Sequence, residues 1–271
     1  MSMTLVTGIW LLCLWLISLL GMTPKNIGNT GALAFRIGTQ LVQTLIILLL
    51  MWKMDILSPA DFTLKGKAKG FLLGWVAIVI PAGNMVLNFM GIDFVAPDPL
   101  HLIVAFLQPF IGTGLIEEVL FRGLMLLVLL KAAEQSKKGI MNAVIVSSVI
   151  FGLAHFLNLL EADIIRVGTQ VVFATGMGVF FSAIYLRTKT LWIPIILHGF
   201  FNLSSRIQAP FAYVSSYVGD YIGYTPQESM SSVDILIMRI PLLVIGVVHL
   251  IAGLILLRKV NPDETVESES R

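Results

Sequence analysis

Glu117, Glu118 and Arg122 stand together inside an apolar stretch that runs from about Leu102 to Leu130. A charged side chain at membrane depth costs at least ~2.5–3.5 kcal/mol on insertion scales, so three kept together need a reason. One reason is an ion pair that staples two helices; the other is chemistry. Glu118 and Arg122 are four residues apart with the acid nearer the N-terminus, which is the favourable order for a pair on one helix face. Arg122 can therefore neutralise Glu118. Glu117 points about 100° away and has no partner at helical spacing, which leaves it free to act as a general base.

Two further groupings favour chemistry over a staple. Phe151-Gly152-Leu153-Ala154-His155 is followed by Asn158, and His198-Gly199-Phe200-Phe201-Asn202 sets a histidine and an asparagine on one helix face. A lone histidine in an apolar helix is more often a hydrogen-bonded packing residue. His249 fits that description, and His101 reads as a loop residue. His155 and His198 differ because they arrive with companions. Counting along the helices places Glu117 about 20 Å from the end at Lys131, and His155 about 24 Å beyond Gly139. His198 comes about 12 Å and Asn202 about 18 Å beyond Thr190. Polar groups from three helices thus reach overlapping depths, as a buried active site requires.

Other hydrolytic chemistries are missing from the sequence. There is no HExxH zinc helix and no G-x-S-G motif in an apolar segment. Every aspartate lies in a loop, in the tail or at a helix end, so an aspartate pair within the membrane is excluded. What remains is glutamate with histidine, either activating water directly or holding a metal.

The elements that must position these groups follow from composition. Of 271 residues, 57% are hydrophobic and 13% charged, with a net charge of +2 and a mean hydropathy of +0.90. These values define an all-α, polytopic membrane protein. Apolar segments at about 3–22, 33–52, 70–92, 102–131, 140–157, 167–186, 190–205 and 235–257 predict about eight transmembrane helices, since open sheet edges cannot face lipid. Pro109, Gly112 and Gly114 predict a kink or break just before the glutamates. The segments 102–131, 140–157, 167–186 and 190–205 are expected to enclose a polar intramembrane site. Residues 1–271 read as one membrane domain with a polar tail at 261–271, and the first segment as a retained helix. A single cysteine, Cys13, excludes a disulfide framework and any cysteine-based metal cluster. Twelve basic residues fall in the connections 53–69, 131–139 and 187–189 and in the tail, against four on the other side, which predicts cytoplasmic termini. Gly176 and Gly178 suit close helix packing, while Trp52 and Trp192 suit an interfacial belt.

Taken in order, Glu117-Glu118-xxx-Arg122, Phe151-xxx-His155 and His198-xxx-Asn202 resemble the pattern of the CPBP family of membrane proteins (CaaX proteases and bacteriocin-processing enzymes, also called Abi), whose type II CaaX prenyl endopeptidases are glutamate-type peptidases. The resemblance covers about 103–205, which would be the catalytic core. It implies an intramembrane endopeptidase acting on a peptide or membrane-protein substrate in a lipid bilayer; no nucleic-acid partner is expected, and the short loops and lack of eukaryotic retention signals suggest a bacterial plasma membrane. It implies that Glu117 and His155 activate the attacking water, that His198 and Asn202 stabilise the oxyanion, and that Glu118 and Arg122 orient the site. The family is often labelled metalloprotease. Glu117, His155 and His198 could hold Zn²⁺, which the helical spacing allows without requiring. The alternative is a non-catalytic membrane adaptor or bacteriocin-immunity protein of the same fold, which would tolerate Glu117→Gln. A proton-coupled carrier is a third reading, against which no internal repeat is found.

Overall fold

A computed structural model describes residues 28–64, 68–89, 98–134, 136–160, 162–207 and 231–261, and every regular element among them is helical. The expected first span at 3–22, most of the connections 93–100 and 206–233, and the tail from 262 lie outside the described residues.

Helix α1 spans Gly28–Lys53 and is followed by a short 3-10 turn, Pro59–Phe62. The next apolar segment is not one helix but two, α2 (Lys69–Leu73) and α3 (Val76–Phe89). They part at Gly74, where an added Cβ would collide with the Leu197 side chain, so the turn presses directly on the seventh helix. The fourth helix, α4, runs over 99–132 with two wide turns in it. Its α-helical parts are Pro99–Leu107, Leu115–Glu118 and Leu126–Ala132, and π-helical turns at Gln108–Gly114 and Val119–Met125 separate them. Pro109 has no N–H to give to the helical ladder, which accounts for the first irregularity. Such π turns occur often at functional sites.

Helix α5 (Lys137–Ala154) starts at a Ser136 cap that accepts from the Gly139 N–H. It tightens into a 3-10 turn over His155–Leu160. Helix α6 (Ile164–Thr188) begins at Asp163, whose carboxylate accepts from the N–H groups of Ile165 and Arg166. It ends at Lys189, in the left-handed region with φ 53°. Helix α7 is Trp192–Ser205, and α8 is Ser232–Leu257, opened by a capping box between Ser231 and Asp234.

Four helices are long and apolar enough to cross a membrane: Thr30–Lys53, Lys137–Leu160, Ile164–Thr188 and Ser232–Leu257. Among the described residues these four stand where the sequence predicts seven of its eight spans, the one at 3–22 lying outside them. Gly74 divides one candidate, α4 is interrupted by its π turns and carries Glu117, Glu118 and Arg122 in mid-course, and α7 has only 14 residues.

Helix α6 is the centre of the bundle. In its most apolar stretch 67% of residues are buried, against 22–33% in the other three. Small residues allow this closeness. A Cβ on Gly176 would run into the Gly246 carbonyl of α8, and one on Gly178 would meet Ser148 of α5. Both glycines thus serve the close packing expected of them.

Helices α1 and α4 run parallel at a constant offset. Thr30 Oγ1 lies 3.0 Å from His101 Nδ1, Gln40 reaches Gly112, and Met51 packs on Gly123. His101 is consequently a helical residue at the start of α4 and not a loop residue. At the far end, Lys131 Nζ donates to the Asp55 carbonyl at 2.8 Å.

The connection after α1 is folded and pinned. Asp61 is buried; its carboxylate accepts from the Tyr185 hydroxyl at 2.7 Å and the Ser58 N–H at 2.9 Å. Its carbonyl accepts from the Leu191 N–H at 2.7 Å and the Thr190 hydroxyl at 3.2 Å. Trp192 Nε1 donates to the Phe62 carbonyl at 3.0 Å, so this tryptophan is tied down as well as suited to an interface.

Candidate active site

Glu118 and Arg122 face inward from α4, at 0% and 1% exposure. Arg122 Nη1 donates to Glu118 Oε1 at 2.9 Å. The same oxygen lies 2.7 Å from His198 Nδ1, across eighty residues of sequence. A carboxylate held by a guanidinium accepts, so Nδ1 is the nitrogen that carries the hydrogen. That fixes the imidazole with Nε2 turned toward Glu117, whose Oε2 stands 3.7 Å away. Glu117 keeps 14% of its side chain exposed. The two glutamates therefore occupy opposite ends of one ring: Glu118 behind it, buried, and Glu117 before it, open.

Phe151 is the hub of the remaining contacts. Its ring centroid lies 5.2 Å from the His155 ring and 6.1 Å from the His198 ring, edge to face with each. The Arg122 guanidinium sits 4.4 Å above it, and Phe121 packs 4.9 Å away. The Phe in the Phe151–His155 motif thus does two things: it spaces the histidines and covers the cation with a π face. His155 caps α5, and its Nδ1 is 3.0 Å from the Phe151 carbonyl. A carbonyl can only accept, so Nδ1–H donates and Nε2 is left with its lone pair. His155 has no ion-pairing contact with either glutamate among the described residues.

Two glycines explain how these groups come so close. A Cβ on Gly152 would hit Thr175 Oγ1 and crowd the Val171 carbonyl of α6, and one on Gly199 would enter the Phe110 ring in the first π turn of α4. Each histidine is adjacent to, or within three residues of, a glycine that lets its helix press home. Asn202 lies one turn beyond His198, half-buried, with no hydrogen bond on its side chain among the described residues. Asn158 is held elsewhere, donating to Gln170 Oε1 at 2.9 Å. His249 is a buried packing residue between the rings of Phe180 and Phe201, with Nδ1 2.8 Å from the Ile245 carbonyl.

Phe181 was not legible as a site residue. Its ring stacks at 30° on His198, 5.5 Å away, and lies 5.6 Å from the Arg122 guanidinium. Only its place on the central helix, in a run of small and aromatic residues, sets it apart.

A metal at this site would need Glu117, His155 and His198 together. Among the described residues no group of three histidine, cysteine, aspartate or glutamate side chains is gathered closely enough to hold an ion. His155 and His198 each stand against the Phe151 ring, 5.2 and 6.1 Å from it. The donor set as placed does not fit a metal, and no step below passes through one.

The fold and site define a helical membrane protein with a buried Arg–Glu–His–Glu chain. Comparison with known proteins narrows this. Residues 99–204 match the family described as Type II CAAX prenyl endopeptidase Rce1-like, the segment that carries all seven motif residues. The chain is also 32% identical over 111 residues to the Bacillus subtilis (strain 168) protein named "Putative membrane peptidase YdiL". That match spans 41% of this chain and 38% of the other protein, well under two thirds of its length. No solved structure matches the chain.

Proposed function

We propose that this chain is an intramembrane endopeptidase in which Glu117 is the general base. The observation that carries the reading is the ordered chain Arg122–Glu118–His198–Glu117, which leaves one carboxylate fixed and buried and the other open before an oriented imidazole. The 3.7 Å between Glu117 and His198 Nε2 is longer than a hydrogen bond and suits a reacting group between them.

In this reading Glu117 takes a proton from water, assisted by the His155 Nε2 lone pair, as the water oxygen bonds to the scissile carbonyl carbon. The negative charge moves to the carbonyl oxygen. His198, protonated at Nε2 with Glu118 behind Nδ1, and the Asn202 amide donate to that oxygen. The proton held by Glu117 passes to the departing amine nitrogen as the C–N bond breaks, which returns the carboxylate. With His198 as imidazolium, Arg122, Glu118, His198 and Glu117 sum to zero charge, so the site is neutral before turnover. Arg122 acts through Glu118 and is a positioning residue.

The experiment is a comparison of new protein N-termini in membranes from cells making wild type or Glu117→Gln at equal levels. Termini that depend on Glu117 support the peptidase and identify its substrate. An identical set of termini from both proteins favours the adaptor reading and defeats the enzyme.

A further inference from the structure

The face that α1 turns toward α4 changes character half-way along. In the half nearer Lys53 it is apolar: Ile47 and Met51 are fully buried, and Met51 packs on Gly123. Before that comes a polar stretch, with Gln40, Gln43 and Thr44 at 0%, 4% and 3% exposure, and nearer Gly28 the buried residue is again apolar, Leu33. Opposite them α4 supplies Gln108, also buried, whose Nε2 donates to Thr113 Oγ1 at 2.8 Å. A Cβ on Gly112 would collide with Gln40 Oε1 and lie 3.3 Å from Gln108 Nε2, so the glycine keeps room for both amide tips.

Among the described residues neither end of the Gln40 amide has a hydrogen-bond partner, although the residue is closed off completely. A buried polar group without a partner costs about 1–3 kcal/mol, and native interiors meet that need with bound water when protein groups do not. Lipid cannot serve, because the amide is not exposed to it. The position is telling: Gly112 lies about 7–8 Å along the helix from Glu117, and Thr113 is one turn before it.

We propose that Gln40 and Gln108 hold water in a polar seam between α1 and α4, and that this seam brings the hydrolytic water to Glu117. The seam is the stretch around Gln40, Gln43, Thr44 and Gln108, bounded on one side by buried Leu33 and on the other by Ile47 and Met51, where the interface is dry. It rests on the peptidase reading, since hydrolysis consumes one water for each bond cut. Gln40 is a positioning residue: it acts through water and touches no reacting atom.

Water-edited solid-state NMR of the protein in lipid, with glutamine side chains labelled by ¹⁵N, tests the seam without any substrate. The Gln40 signal is identified by its loss in Gln40→Met. Polarisation arriving from water as fast as at exposed glutamines supports the seam; arrival only at the slow rate of dry core groups overturns it. The route is tested on a peptide spanning a Glu117-dependent cleavage site. Gln40→Met should lower kcat about tenfold, the worth of one neutral hydrogen bond, with KM unchanged. Gln40→Glu, which restores a polar group of the same length, should recover most of it. Unchanged kcat in Gln40→Met overturns the route even if the amides are wet. Cleavage that persists in Glu117→Gln overturns the peptidase reading and the route with it, while the NMR result still decides whether the seam holds water.

Discussion

Asp61 and Glu118 are both closed off, at 5% and 0% exposure, yet they are buried in different ways. Asp61 is met by neutral donors, the Tyr185 hydroxyl and the Ser58 N–H, one on each carboxylate oxygen. Glu118 crowds a guanidinium and an imidazole onto one oxygen and leaves Oε2 without a partner. The first arrangement is complete and ties a connection to the end of α6. The second is incomplete, and it has beside it a second carboxylate that stays open. In this molecule the acid that ties a connection down has a donor on each oxygen, whereas the acid at the candidate site has both of its partners on one oxygen.

The comparison breaks first at Glu117. Glu117→Gln should reduce Glu117-dependent cleavage by about 10²–10⁴-fold, the usual contribution of a general base. Its thermal unfolding in detergent should stay close to wild type, because Glu117 stands 3.7 Å from His198, beyond hydrogen-bond reach, and keeps 14% of its side chain exposed. A cleavage rate within a factor of two of wild type would remove Glu117 from the chemistry.

Arg122→Met comes next, and it should act on the fold. Removing one partner of a buried pair costs about 3–5 kcal/mol, since Glu118 would be left as an uncompensated buried charge. A lower Tm and reduced membrane levels are expected. Glu118→Gln combined with Arg122→Met should recover part of that stability without recovering cleavage, because His198 would lose the carboxylate behind Nδ1. Stability that does not recover in the double variant would show that the arginine matters through packing on Phe151 and Phe181 instead.

What could be read from the chain and what could not divide along the same physical line. Spacing reports contacts within one helix, so the Glu118–Arg122 pair and the shared face of His198 and Asn202 were legible. So was the small-residue packing at Gly176 and Gly178. Spacing is silent on which helices meet. The bond from His198 to Glu118, the stacking of Phe181 and the place of Gln40 beside Gly112 all depend on tertiary register. Hydropathy likewise marked apolar stretches but not their continuity. It reads the segment at 70–92 as one span, although Gly74 turns the chain there; the irregularity before the glutamates is legible from Pro109, Gly112 and Gly114, but the second wide turn at Val119–Met125 is not. The connection 53–69 looked like a charged loop, and nothing in its composition announced that Asp61 docks on Tyr185.

The smallest effect, and the sharpest test of the saturated site, is the pH dependence of Asp61, which lies in a connection outside the membrane-crossing helices. Burial raises its pKa above the ordinary 3.8, outweighing the Tyr185 and Ser58 hydrogen bonds and the charge of Lys189, which lower it. A carboxyl whose pKa is raised by folding binds its proton more tightly folded than unfolded. Its contribution is therefore full below 3.8 and fades as pH rises through the folded value. Asp61→Asn cannot titrate and should cost about 1–3 kcal/mol by disturbing the donor at Ser58. The Tm gap between wild type and Asp61→Asn should thus widen in favour of wild type as pH falls from 7 toward 4. A gap that narrows would mean that the hydrogen bonds hold Asp61 as the anion. The pin would then resemble Glu118 more closely than its neutral donors suggest.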